Sequence, residues 1–157
     1  MRFAKGLGLA VILGALPVPA AAEEAFDACE VFTPKDAQGA LGTTVVETSA
    51  FKGKRPRVVM NCQYAGMKDG RAVAASAQFR VARTEPEMRQ AFADSRLELQ
   101  TKPMFIGSNE AFWSARTGQL YVRKGRAQVV VSVGPEKQGE RDIEATRKLA
   151  EILVGKM

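Results

Sequence analysis

Cys29 and Cys62 have the most specific chemistry in this 157-residue chain, and they are its only cysteines. They lie 33 residues apart, a spacing unlike the C-x-x-C pattern of thiol oxidoreductases. Two such cysteines typically form a structural disulfide in an oxidising compartment and remain thiols in a reducing one. Their chemistry therefore depends on where the protein is located.

The N-terminus has the composition of a secretory signal peptide. A basic start is followed by an apolar stretch at residues 6–16 and then by small residues up to Ala22. The apolar stretch is much shorter than the roughly 20 residues of a membrane-spanning helix, and no Leu-Ala-Gly-Cys lipoprotein pattern precedes Cys29. We therefore expect cleavage of residues 1–22. Residues 23–157 would then form one periplasmic or secreted domain, with its two cysteines joined.

Histidine is absent from the chain, which excludes catalytic triads and metal sites that use histidine. Neither a G-x-S-x-G nucleophile pattern nor a Gly-rich phosphate-binding loop occurs. No acidic loop has the ligand spacing of a Ca²⁺ site. The sequence therefore predicts neither a metal nor a cofactor, and it favours a protein that is not an enzyme.

Glu110 is the acidic residue best placed for acid–base chemistry. Phe112 and Trp113 follow it closely, and apolar neighbours favour the protonated form of a carboxyl group. On this interpretation the protein is a carboxylate-dependent envelope hydrolase. A solvated charge at the start of a strand is the simpler interpretation of the same residue.

Basic residues form two groups, one around residues 52–57 and one at 116–126. From residue 23 onward, 21 basic and 17 acidic side chains give a net charge of +4, too weak to indicate nucleic-acid binding. If the two groups lie on one surface of the folded protein, that surface would attract an envelope protein or an anionic envelope component, with peripheral membrane contact. If the two groups lie apart, they are solvated turns that keep the sheet edges from pairing with other chains. The candidate partner-binding residues, which include two aromatic ones, are Lys54, Arg55, Arg57, Trp113, Arg116, Tyr121, Arg123, Lys124 and Arg126.

The N-terminal half of the domain predicts a short helix and two or three strands. Thr33, followed by proline, is a helix N-cap and Gly42 is a stop, so the helix spans residues 34–41. β-Branched residues predict a strand at 43–49. Alternating apolar residues on both sides of a Gly-containing turn predict a hairpin over residues 57–81.

The C-terminal half predicts helix, three strands and helix. A capping signature at Thr84 begins a helix that ends near Gln100, and apolar spacing predicts a final helix whose stripe runs from Ile143 to Leu153. The three strands between them, joined by short links, are at residues 110–115, 119–124 and 126–133. Val130 lies off the apolar face of the last strand, which indicates that this strand is covered on much of both sides.

These elements indicate the α+β fold class. We expect an antiparallel sheet of five to six strands with the helices packed on one face.

The chain resembles a group of bacterial secreted and lipoprotein domains of unknown function. In that group a cysteine precedes a Thr-capped helix ending in Leu-Gly, and a second cysteine follows as Cys-x-Tyr. The matching residues here are Ala28, Cys29, Thr33, Pro34, Leu41, Gly42, Cys62, Gln63, Tyr64, Gly107, Glu110, Ala111, Phe112, Trp113 and 121–125. Phe32 and Gly39 depart from the pattern. The resemblance implies a fold and an extracytoplasmic location, and it carries no catalytic residue.

Together these features predict a non-catalytic exported, periplasmic binding or accessory module with one structural disulfide and a mildly basic sheet face. The alternatives are the envelope hydrolase and a structural subunit of a membrane-associated complex.

Overall fold

The structure is a computed structural model that describes residues 27–52 and 59–157. The predicted signal peptide, residues 1–22, lies outside the described residues, as do Lys54, Arg55 and Arg57. In chain order the elements are α1 (Ala28–Val31), α2 (Pro34–Leu41), β1 (Val45–Lys52), β2 (Val59–Lys68), β3 (Arg71–Val81), α3 (Glu85–Glu98), β4 (Met104–Ile106), β5 (Asn109–Ser114), β6 (Gln119–Lys124), β7 (Ala127–Gly134), a 3-10 turn (Gln138–Glu140) and α4 (Ile143–Lys156).

Helix α2 begins and ends where the sequence predicts. The Thr33 hydroxyl accepts a hydrogen bond from the Asp36 backbone N–H, and the Thr33 N–H donates to the Asp36 carboxylate at 2.9 Å. This reciprocal pair satisfies two backbone donors that the first turn of a helix leaves without partners. The helix ends at Gly42, whose φ of +66° lies in the left-handed region that glycine adopts without strain.

The seven strands form one antiparallel sheet in the order β1-β2-β3-β7-β6-β5-β4. The β2–β3 hairpin turns at Asp69 and Gly70, with φ values of 50° and 74°, which match the twist of the flanking strands. The α+β class is therefore confirmed. The sheet has seven strands instead of five or six, and the strand that the sequence did not indicate is β4.

One face of the sheet, the inner face, carries the larger core. Cys62, Ala77 and Val131 lie opposite one another in neighbouring strands on this face, and all three are buried. Helices α1, α2 and α4 pack against them, with Phe32 and Leu153 among the fully buried side chains. Burial of such side chains, at roughly 25 cal/mol per Å² of apolar surface, is the main force that holds the helices to the sheet.

Helix α3 packs on the opposite, outer face, so the prediction that all helices share one face is wrong. Phe112 and Tyr121 are opposed in β5 and β6, and they alternate with the inner-face residues of their strands. The Phe92 ring of α3 lies 4.9 Å from the Phe112 ring, and Met88 is fully buried. The apolar stripe of α3 therefore covers a second core over β5 to β7.

The predicted disulfide between Cys29 and Cys62 is present and joins α1 to the middle of β2. Beside it, the rings of Phe32 and Tyr64 meet edge to face at 4.9 Å, and the Tyr64 hydroxyl donates to the Phe32 carbonyl at 2.9 Å. The bond fastens the two short N-terminal helices, which are too short to be stable alone, onto the inner face.

Candidate functional site

Arg123 takes part in the internal packing of the protein and does not form a free basic surface. Its side chain is 11% exposed, and its Nε and Nη2 donate to the Glu110 Oε2 at 2.9 and 2.7 Å. Its Nη1 donates to the Glu85 Oε1 at 3.3 Å. Hydrogen bonds from Arg89 and Arg123 hold the pKa of Glu85 below its usual range. The guanidinium therefore joins the start of α3 to strands β5 and β6.

Lys124 is also engaged, on the other side of the sheet. Its ammonium donates to the Val154 carbonyl at 2.9 Å, near the C-terminus of α4, where helix carbonyls lack internal partners and a cation is favourable. Because successive residues of a strand point to opposite faces, Arg123 and Lys124 do not contribute to one surface.

Trp113 and Tyr121 lie on opposite faces as well. Trp113 is opposed to Leu120 and belongs to the inner face, whereas Tyr121 is opposed to Phe112 on the outer face. The Tyr121 ring stacks on the Phe112 ring at 4.5 Å, and its hydroxyl donates to Gln119 at 3.1 Å. The two aromatic residues therefore do not form a shared patch. Arg126, in the turn after β6, is exposed.

Trp113 and Arg116 share an open groove of about 450 Å³, here called the Trp113 groove, between the α3–β4 connection and the β5–β6 turn. Its wall on the side of the α3–β4 connection includes Lys102. Trp113 is half-buried, and Lys102 and Arg116 are exposed. Neither cation makes an ion pair with a residue that the structure describes. The residues lining the groove are Leu99, Gln100, Thr101, Lys102, Pro103, Met104, Trp113, Ala115 and Arg116.

The end of α3 positions Lys102. Gln100 has a φ of +52°, a left-handed conformation that costs energy for a residue other than glycine. The Thr101 N–H then donates to the Arg96 carbonyl at 3.1 Å, which closes the last turn of the helix. The chain leaves the helix through this strained residue and enters the groove wall at Lys102. Sequence reasoning missed Lys102, although a lysine before a proline between a helix and a strand was a signal for an exposed connection.

The β5–β6 turn positions Arg116. The Gly118 N–H donates to the Ser114 carbonyl at 2.8 Å, and the Thr117 N–H donates to the Ser114 hydroxyl at 3.3 Å. Ser114 is fully buried, so the turn is anchored from within the protein. Arg116 lies at the exposed part of this anchored turn, on the other side of the groove from Lys102.

The chemistry of the groove suits binding. An indole offers a broad amphipathic surface. The two cations beside it, which make no ion pair among the residues that the structure describes, attract carboxylates or other anions. None of the residues that line the groove is acidic, a cysteine or a serine, so the groove itself offers neither a carboxyl pair nor a serine or cysteine nucleophile.

A second cavity, of about 230 Å³, lies between the β2–β3 hairpin and the start of α4. Two charged residues of its lining pair with each other, because Glu140 accepts from Arg71 at 2.9 Å, and Glu140 also accepts from Lys137 at 3.1 Å. These two cations lower the pKa of Glu140. Asp142, also in the lining, caps α4 by accepting from the Ala145 N–H at 2.9 Å. These contacts join β3 to the 3-10 turn and cap α4, so their role is structural.

Glu110, the residue on which the hydrolase alternative depends, is half-exposed and hydrogen-bonded to Arg123 as described above. It lines a small cavity of about 100 Å³ beside Phe92 and Phe105. The carboxylate of Glu85 shares the same guanidinium. Two carboxylates that hold one permanent cation are the typical arrangement of a structural ion-pair cluster.

An S-x-x-K pattern, which in some hydrolases supplies a nucleophile and its base, occurs at residues 49–52. These residues belong to strand β1, where positions three apart lie on opposite faces. Backbone positions on opposite faces of the sheet do not favour a serine–lysine pair.

Within the described residues, no three histidine, cysteine, aspartate or glutamate side chains form a group that could hold a metal ion. None of the helices in residues 27–52 and 59–157 has the length and apolar character needed to span a membrane. Comparison of the chain with known protein families, with curated proteins and with solved structures finds no match. The resemblance to secreted bacterial domains therefore stays a prediction.

Proposed function

We propose that this protein is an exported, non-catalytic binding or accessory module that holds an acidic partner in the Trp113 groove. The observation that carries the proposal is the combination, along one open groove, of half-buried Trp113 with the exposed cations Lys102 and Arg116. Aromatic and arginine side chains dominate the binding energy of many interfaces. The partner that fits this chemistry is a protein segment with acidic and apolar residues.

The groove replaces the basic sheet face expected from the sequence. Arg123 is paired with two carboxylates on the outer face, and the Lys124 ammonium is hydrogen-bonded to the Val154 carbonyl on the inner face, so the two cations do not form one basic surface. Arg116 remains available and is joined by Lys102. Arg126 lies in the β6–β7 turn, at the opposite end of β6 from the groove. It therefore serves as a control for general positive charge.

Export is the second part of the proposal. A disulfide such as Cys29–Cys62 persists in oxidising compartments, which supports the signal peptide expected at residues 1–22. The intact mass of protein recovered from the native host should correspond to a chain that starts at Glu23. A mature protein that retains Met1 would contradict export by cleavage.

Tryptophan fluorescence provides a direct binding test, because Trp113 is the only tryptophan in the chain. We expect poly-glutamate at low salt to change the emission of Trp113 in a saturable manner, and added salt to weaken the effect. Reversing both cations, Lys102→Glu with Arg116→Glu, should abolish the response. A matched double reversal at exposed cations elsewhere, Lys35→Glu with Arg126→Glu, should leave most of it.

Equal loss of binding in both double variants would show that general charge, and not the groove, attracts the polymer. An unchanged affinity in the groove variant would exclude the groove. A response to phosphatidylglycerol vesicles with none to poly-glutamate would assign the groove to a membrane surface and contradict an acidic protein partner.

A further inference from the structure

A row of small uncharged polar side chains crosses the outer face of the sheet. Ser49 is opposed to Gln63, Gln63 to Ser76, and Ser76 to Ser132. We call these four residues the polar row. Helix α3 covers the outer face over β6 and β7, while Ser49, Gln63 and Ser76 in β1 to β3 remain exposed or half-exposed.

Arg141 lies at the β7 end of the polar row. Its Nη1 is 3.4 Å from the Ser132 hydroxyl, which in turn lies 2.8 Å from the Ser76 hydroxyl. Its Nη2 donates to the Glu136 carbonyl at 3.3 Å. The Nε is buried and has no hydrogen-bond partner among the described residues. Arg141 makes no ion pair with any residue that the structure describes.

This environment is unfavourable for a guanidinium that binds nothing. Arginine carries five N–H donors, and within residues 27–52 and 59–157 only two long contacts to neutral oxygens engage them. Arg141 is half-buried, and a charge that burial partly removes from water is normally paired with an opposite charge, because burial weakens its hydration. Burial lowers the pKa of Arg141, and only the charge of Glu136 opposes this effect. Arg123, by contrast, is satisfied by two carboxylates.

We infer that Arg141 and the polar row form a binding site for an acidic sugar. The carboxylate of the sugar binds the guanidinium in place of its two long contacts, as in bidentate arginine–carboxylate pairs. The hydroxyls of Ser49 and Ser76 and the amide of Gln63 both donate and accept hydrogen bonds, which matches the hydroxyl groups of a sugar chain. This site lies on the outer face and does not depend on the Trp113 groove.

Trigalacturonate is a suitable probe, followed by NMR titration of ¹⁵N-labelled protein. The neutral maltotriose and acetate separate the contributions of the hydroxyl groups and the carboxylate. We expect trigalacturonate to bind about tenfold more tightly than either compound, because only it uses both the guanidinium and the polar row. Shifted resonances should include those of residues in the middle of β2 and β3.

Variants locate the site. Arg141→Gln should weaken trigalacturonate binding about tenfold. Arg141→Lys, which keeps the charge and loses the planar fork, should weaken it several-fold, as should Ser76→Ala. Arg80→Gln is the matched control, since Arg80 is half-buried on the same face of β3 and should leave the affinity within about twofold. The groove variant Lys102→Glu with Arg116→Glu should also retain binding, which separates this inference from the proposed function.

Circular dichroism and the melting temperature establish that each variant is folded before binding is compared. Equal affinity for maltotriose and trigalacturonate would overturn the role of Arg141, and so would a folded Arg141→Gln variant that binds like the native chain. Absence of saturable trigalacturonate binding by the native chain would overturn the site as a whole.

Discussion

Lys156, in the last turn of α4, places its Nζ 2.5 Å from the Oδ2 of Asp36 in the first turn of α2, 120 residues earlier in the chain. The same Nζ donates to the Val31 carbonyl at 3.2 Å. Because Asp36 also completes the capping box with Thr33, one carboxylate links the start of α2 to the C-terminal helix.

This contact predicts a loss of stability in acid. Burial alone would raise the pKa of Asp36, but hydrogen bonds from Lys156 and Thr33 outweigh this effect and hold the pKa below its ordinary value. A carboxyl group with a lowered pKa in the folded state stabilises the fold above its unfolded pKa of about 4 and loses that effect as the pH falls through the folded pKa. Urea unfolding should therefore show Asp36→Asn to be about 1 kcal/mol less stable near pH 6, a modest value because the Lys156 partner is partly exposed and solvent screens the pair.

The difference between the native chain and Asp36→Asn should shrink as the pH falls below about 4, where the unfolded chain binds a proton at this position, and should vanish once the carboxyl group of the folded protein is protonated as well. Glu30→Gln, at an exposed acid in α1, should behave like the native chain at both pH values. A difference that stays constant from pH 6 to pH 3 would mean that the charge of Asp36 is not responsible.

Removing the disulfide should be strongly destabilising. The chain-entropy model assigns about 3 to 4 kcal/mol to a bond that closes a loop of 33 residues. We expect Cys29→Ser with Cys62→Ser to lower the free energy of unfolding by about this amount in urea titrations. The loosened part should be α1 and α2, detected as faster hydrogen exchange there than in β7. A loss below about 1 kcal/mol would show that packing around Phe32 and Tyr64 alone holds these helices.

Truncating Arg123 should destabilise the domain. Arg123→Ala removes the cation that Glu110 and Glu85 share, with an expected loss of about 1 to 2 kcal/mol because both carboxylates are half-exposed and can be solvated. Arg126→Ala, three residues later on an exposed turn, should change the unfolding free energy by less than about 0.5 kcal/mol. Similar values for the two variants would mean that the Arg123 cluster contributes nothing beyond a surface charge.

Two glycines should respond to alanine in opposite directions. A Cβ at Gly66 would lie 2.5 Å from the Thr44 carbonyl oxygen, so Gly66→Ala forces the first two strands apart and should cost about 1 to 3 kcal/mol. A Cβ at Gly39, within α2, meets nothing within 4 Å, so Gly39→Ala should raise stability by about 0.5 to 1 kcal/mol. Melting temperatures of the two variants measure both effects. A stabilised Gly66→Ala would disprove the close approach of β1 to β2.

Several features of the fold could be predicted because they depend on local chemistry. A chain with only two cysteines has only one possible internal disulfide. Thr33 and Gly42 define the ends of α2 through backbone hydrogen bonds and φ preference, which are local properties. Strand β4 was missed because its three residues are too few to show a period.

The placement of α3 could not be predicted from its own stripe. Met88 and Phe92 show that one side of the helix is buried, but a stripe does not specify which face of the sheet it covers. The surface that α3 covers is an apolar row across three strands, formed by Phe112, Tyr121 and Val130. This row can be recognised only when the register of the three strands is known.

The amino-acid sequence by itself determined most of the secondary structure, without the short elements α1 and β4, and it determined the cysteine pairing and the absence of histidine chemistry. Each of these depends on residue type or on neighbours along the chain. Tertiary structure alone decided which charges are free. Arg123, Lys124 and Arg116 are equivalent cations in the sequence. The first two meet acceptors from distant elements, whereas Arg116 meets none in the part of the chain that the structure describes. Whether a charge is paired depends on strand register and helix packing, which bring together residues far apart in the chain.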